Sequence, residues 1–174
     1  MIDTATRLRS AFKSAGFNAR AISVASPHGN IRVTVRTALA PLAWVRAVAM
    51  QVQHVRHCEA SGEILSGGNT FVDVEHHETV RTMLVNRYLD AVRVALAELQ
   101  AIGEGTNTLV PVAGATKANG EPVHLGMHNG SVNVWDGSWR SIMHHVSDDD
   151  GIAYRIACND PDQSVAMLPS LTVA

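Results

Sequence analysis

The chain has 174 residues, 46% of them hydrophobic and 17% charged, with a formal net charge of −2. That balance belongs to a folded chain with a real core and excludes a disordered or low-complexity protein. No apolar run approaches the roughly 20 residues that cross a bilayer, and MIDTATRLRSAFK lacks the apolar stretch of a secretory signal, so a cytoplasmic protein without membrane contact is expected.

Asp3 or Thr4 caps a first predicted helix that runs to Ala15, with Leu8, Ala11, Phe12 and Ala15 as its apolar stripe. Phe17–Ser26 reads as a strand. Pro27-His28-Gly29-Asn30 is a turn signal, and Ile31–Thr37 is the cleanest alternating strand, with Ile31, Val33 and Val35 facing one way. Pro41 opens a second predicted helix, whose Leu42, Val45, Val48, Ala49, Val52 and Val55 recur at helical spacing down to Cys58. Gly62–Val74 then runs through a loop and the Gly67-Gly68 pair into a strand over Thr70–Glu75. Thr70, Val72 and Val74 fall on one face there; Phe71, Asp73 and Glu75 fall on the other. A long helix over Glu78–Ile102 carries Val80, Leu84, Tyr88, Val92, Ala95, Leu99 and Ile102 as one stripe.

At Gly103-Glu104-Gly105-Thr106-Asn107 the pattern breaks, and the apolar period changes to two. Leu109–Val112, Val123–Met127, Ser131–Trp135, Ser141–Val146, Ile152–Ala157 and Val165–Val173 are the predicted strands, separated by Asn-Gly and Asp-Gly turn signals. The fold class expected is α+β: a small helix-strand-strand-helix-strand-helix layer over residues 1–102, followed by an antiparallel β-meander over 103–174, with helices confined to the first part. Charge follows the same division. Residues 1–102 hold eleven Lys/Arg against eight Asp/Glu, and residues 103–174 hold three against eight. Cys58 and Cys158 are expected as thiols rather than a disulfide.

Residues 6–75 carry a basic first helix with RLRSAFKSAGFNARAISV, a hairpin with alternating basic residues in NIRVTVRT, and a helix opened by Pro41 that leads to a closing strand after Gly67-Gly68. This pattern resembles the small α+β modules associated with large polyvalent proteins of phages and conjugative elements. The resemblance implies a mobile-element origin and an accessory, protective role on entry into a host cell. It brings no catalytic residue with it.

Nine histidines supply the candidates for chemistry. His54, His57 and Cys58 would share one turn at the end of the second predicted helix, a spacing that metal sites use. His124 and His128 stand at i, i+4 on one predicted strand, and His144 or His145 from a later strand would complete a three-imidazole zinc or iron site. Arg20, Arg32 and Arg36, with Thr34, would form a phosphate-binding stripe on a sheet face. Asp148-Asp149-Asp150-Gly151 lacks the spaced ligands of a calcium loop and reads as an exposed turn.

The leading reading is a non-enzymatic accessory binding protein of a mobile genetic element, in the form of an inhibitor of a host defence complex, with a host protein or nucleic acid as partner and no cofactor. One alternative is a metal-dependent enzyme using the meander histidines. The other is a nucleic-acid-binding module using the basic hairpin.

Overall fold

The computed structural model describes residues 3–65, 68–103, 108–117, 119–128, 131–135, 149–160 and 173. The chain divides into two compact units, Met1–Val80 with Val165–Ala174, and Arg81–Ser164. The architecture is α+β, with two separate three-stranded sheets.

In the first unit, α1 (Thr4–Ser14) and α2 (Leu42–Ala49) cover one face of a sheet ordered β1 (Ile22–Ala25), β2 (Ile31–Val35), β3 (Val72–His76). β1 and β2 are antiparallel, while β2 and β3 run parallel. The core is what the alternation and the helical stripe predict: Leu8 and Phe12 from α1, Ile22 and Val24, Ile31, Val33 and Val35, Val74, and Val45 and Val48 from α2. Trp44 joins it, its ring centroid 6.0 Å from that of Phe12 and 5.6 Å from that of Phe17. Burial of a cluster this apolar is the main force holding the unit together.

Two boundaries differ from expectation here. β1 begins only at Ile22, because the Asn18 side chain accepts from Arg20 N and Ala21 N at 2.9 and 3.2 Å and ties the preceding residues into a turn. α2 ends at Ala49, passes through a 3-10 turn over Met50–Val52, and gives way to extended backbone at Gln53. The residues expected as its last turns pair across the chain instead. His54 and Thr70 exchange both backbone hydrogen bonds, at 3.0 and 2.7 Å, Leu65 N donates to Arg56 O, and Cys58 N donates to Glu63 O. Val52 and Val55 are poor helix formers, and partners of this kind outweigh so weak a local preference.

α3 (Glu78–Ile102) follows β3 at once. His77 N donates to Val35 O at 2.7 Å, and the His77 ring nitrogen accepts from Thr79 N at 3.3 Å, satisfying one orphan amide of the first turn. Its predicted stripe is buried from Val80 to Leu99.

In the second unit, β4 (Leu109–Thr116), β5 (Pro122–His128) and β6 (Ser131–Trp135) form an antiparallel meander. Val110, Val112, Val123, Leu125 and Val134 are buried on one face. The register of β4 shifts between Pro111 and Thr116, where Gly114 takes φ 74°, a conformation that disfavours any side chain.

α4 (Asp149–Cys158) corrects the strand expected over Ile152–Ala157, and with it the expectation that helices stop at Ile102. Ile152, Ala153, Ile156 and Ala157 are buried at i, i+1, i+4 and i+5, which is one helical stripe. Asp149 and Asp150, expected in an exposed turn, stand in the first turn and complement the helix dipole. The expected strand over Ser141–Val146 lies outside the described residues. So does all of Val165–Val173 except Val173.

Candidate functional site

The stretch between α2 and β3 forms a short arm. His54–Thr70 and His57–Ile64 are its two bridges, and Cys58 to Gly62 make its tip, with Gly62 N donating to Cys58 O at 2.8 Å. Asn69 braces it: its Oδ1 accepts from Arg56 N at 2.8 Å and its Nδ2 donates to Leu65 O at 2.7 Å. Ile64, Leu65 and Phe71 are 56%, 38% and 42% exposed. Three large apolar side chains are thus left in water within one braced stretch.

The arm separates the residues read together as a metal motif. His54, His57 and Cys58 do not share a helix face, because no helix exists there. His57 Nδ1 lies 3.2 Å from Gly62 O. The Cys58 thiol is drawn below its ordinary value by a hydrogen bond from the Ser61 side chain, then by the backbone of Ser61 and Ala60. Both cysteines are free thiols.

The face of the first sheet turned away from the helices carries Ser23, Ala25, Arg32, Thr34, Phe71, Asp73 and Glu75 by alternation. Arg32 is exposed on it, and Arg36 is exposed one residue beyond β2. Arg20 sits instead in the turn before β1, so the three arginines are not one strand stripe. The parallel pairing of β3 sets Asp73 beside Arg32 and Glu75 beside Thr34. A face of alternating sign neutralises few phosphates, since that binding scales with the number of uncompensated cations. On the β1 edge of this sheet, Arg9 donates from Nε and Nη2 to Val24 O at 3.2 and 2.7 Å, satisfying one edge carbonyl.

Of the meander histidines, His124 lies on β5 in register between Pro111 of β4 and Trp135 of β6. His128 ends β5 opposite Ser131, and His144 and His145 lie outside the described residues. Among the described residues no three His, Cys, Asp or Glu side chains gather as a metal site would require. Beside His124, Glu121 is held below the usual carboxylate range by hydrogen bonds from Asn119 and Lys117. Next along β5, a Cβ on Gly126 would lie 2.6 Å from Trp135 Nε1 and 2.8 Å from Leu109 Cδ2, so the indole occupies the space above that glycine.

Comparison with known proteins finds no match, whether among family models, curated proteins or solved structures. No helix among the described residues is long and apolar enough to cross a membrane.

Sequence reading missed two arrangements. Tyr88 donates its hydroxyl to buried Asp160, which also pairs with Arg87 at 3.0 Å. Val173 is held by Arg7 and Gln51, side chains 166 and 122 residues away in the chain. No local motif announces either, because both join residues distant in sequence.

Proposed function

We propose that this chain is a non-enzymatic accessory binding protein of a mobile genetic element, acting on a host protein as an inhibitor of a defence complex. The observation that supports binding is the arm, which keeps Ile64, Leu65 and Phe71 in water although the same unit has a dry core to receive apolar side chains. Folding alone gives no reason to leave two large aliphatic residues exposed on a braced loop. The mobile-element origin and the defence target rest on the likeness of residues 6–75 to modules of phage and conjugative-element proteins. A host protein is favoured over nucleic acid because Asp73 and Glu75 interrupt the arginine face.

The test is phage plating or plasmid transfer into hosts that carry defence systems, with and without the protein. The protein is expected to raise the efficiency of entry. Ile64→Ser with Leu65→Ser is expected to abolish that gain while the folded structure, followed by circular dichroism, is retained. No gain from the unmodified protein across a panel of defence systems overturns the reading.

A further inference from the structure

Cations and carboxylates are sorted to opposite edges of the first sheet. Between Asp3 and Glu59 the chain has eight Lys/Arg and no Asp or Glu. The carboxylates that follow in this unit lie on the arm, on β3 and at the start of α3: Glu59 and Glu63, Asp73 and Glu75, and Glu78. The strand order β1-β2-β3 puts β3 at one edge and β1 at the other.

Four cations gather at the β1 edge. α1 packs beside β1, and Arg9 reaches across to Val24 O from Nε and Nη2. Lys13 stands one helical turn beyond Arg9, on the same face and about 6 Å along the axis. The chain turns back between α1 and β1, so this step leads toward the Ile22 end of the strand. Arg20 lies in the turn that enters β1 at that end. Arg36 N donates to Ala21 O at 2.7 Å, which fixes Arg36 there as well. All four residues are exposed, and none forms an ion pair among the described residues. Like charges gathered in this way repel one another, and the fold supplies them no carboxylate in return.

The surroundings decide which anion fits. A protein interface has an apolar centre, yet no large apolar side chain is exposed over residues 3–35. A single strand needs aromatic side chains to stack on, and the aromatic residues of this edge, Phe12 and Phe17, pack against Trp44 in the core. The backbone of a duplex requires neither, only uncompensated Lys and Arg with small polar neighbours. Ser10, Ser14 and Asn18 are exposed among the four cations. Arg32, beside Asp73, is not part of this edge.

We propose that Arg9, Lys13, Arg20 and Arg36 form a docking edge for the phosphate backbone of duplex nucleic acid, bound without regard to base sequence. This is a second activity. It lies across the sheet from β3 and from the arm that pairs with Thr70, and it does not rest on the host-protein reading.

The test follows binding of the full chain to a fluorescein-labelled DNA duplex of about 20 base pairs by anisotropy, between about 50 and 200 mM salt. Four phosphate contacts at roughly −0.9 each predict a slope of log Kobs against log salt of about −3.6. Lys13→Gln with Arg20→Gln should bring the slope to about −1.8, and Arg36→Gln alone to about −2.7. Arg81→Gln with Arg93→Gln removes the same charge from α3 and should leave the slope unchanged. Circular dichroism checks that each variant is folded. No binding by the unmodified chain at the lowest salt overturns the edge, and so do equal slopes in the two double variants. Polyglutamate bound as tightly as the duplex overturns the nucleic-acid assignment and gives the edge to an acidic protein surface. The assay contains no host, so its failure leaves the arm reading standing, and a failed entry assay leaves this edge standing.

Discussion

His76 is the residue whose setting most constrains solution behaviour. It ends β3 on the core side of the sheet, where burial first, and then the charge of Arg46, hold its pKa below the ordinary 6.5. Arg46 stays near because its Nη2 donates to Val74 O at 3.3 Å. In the unfolded chain the imidazole takes up a proton as the pH falls through 6.5, and in the folded chain it does so only at lower pH. Stability contributed by neutral His76 is thus intact above the unfolded value and declines below it. Between about pH 7 and pH 5.5, the urea midpoint should fall, and His76→Gln should flatten that fall. Identical slopes for the two proteins would rule out His76 as the titrating group.

At the scale of elements, α4 shows how a helix with few apolar residues is held. Its stripe buries only two isoleucines and two alanines. Polar ties to α3 add to this: Tyr88 and Arg87 both reach Asp160 just beyond the C-terminal end of α4, Arg93 pairs with Asp149 at 3.3 Å, and the Arg81 guanidinium lies 5.0 Å from the Tyr154 ring centroid. The Arg93–Asp149 pair is exposed and contributes little. Asp160 is buried, and removing a buried carboxylate that accepts from Tyr88 and pairs with Arg87 is costly. Asp160→Ala should destabilise the second unit by about 2–4 kcal/mol, against under about 1 kcal/mol for Asp149→Ala, in chemical denaturation followed by tyrosine and tryptophan fluorescence. Equal effects would show that the buried tie is not what holds α4.

At the scale of the molecule, histidine number and histidine geometry point different ways. Nine histidines suggested a metal enzyme, yet His54 and His57 are spread along the arm, and His124 stands between Pro111 and Trp135. The protein is expected to purify without stoichiometric zinc or iron by elemental analysis, and His124→Ala with His128→Ala should leave the expected gain in phage or plasmid entry unchanged. One metal per chain, lost in that double variant together with activity, would replace the binding reading by the enzyme. The arm and the mixed-charge sheet face both fall in the first unit.

What the sequence determined by itself is whatever a single period can encode. The α3 stripe from Val80 to Leu99, the α1 stripe of Leu8 and Phe12, and the alternation of Ile31, Val33 and Val35 all stand in the structure as read, because each needs only one apolar face of known repeat. The α+β class and the meander follow from the order of those segments. The tertiary structure alone decided the rest. α2 stops at Ala49 because residues 54–58 find backbone partners at Glu63–Thr70, and a helical pattern in Val52 and Val55 cannot reveal a competing partner. Asp73 stands beside Arg32 only because β3 joins β2 in parallel at that register. Ile152–Ala157 is too short for its period to separate strand from helix, and the burial of Ile152 with Ile156 settled it. Arg7 and Gln51 hold Val173 through bonds spanning 166 and 122 residues, a distance over which sequence pattern carries no record of who meets whom.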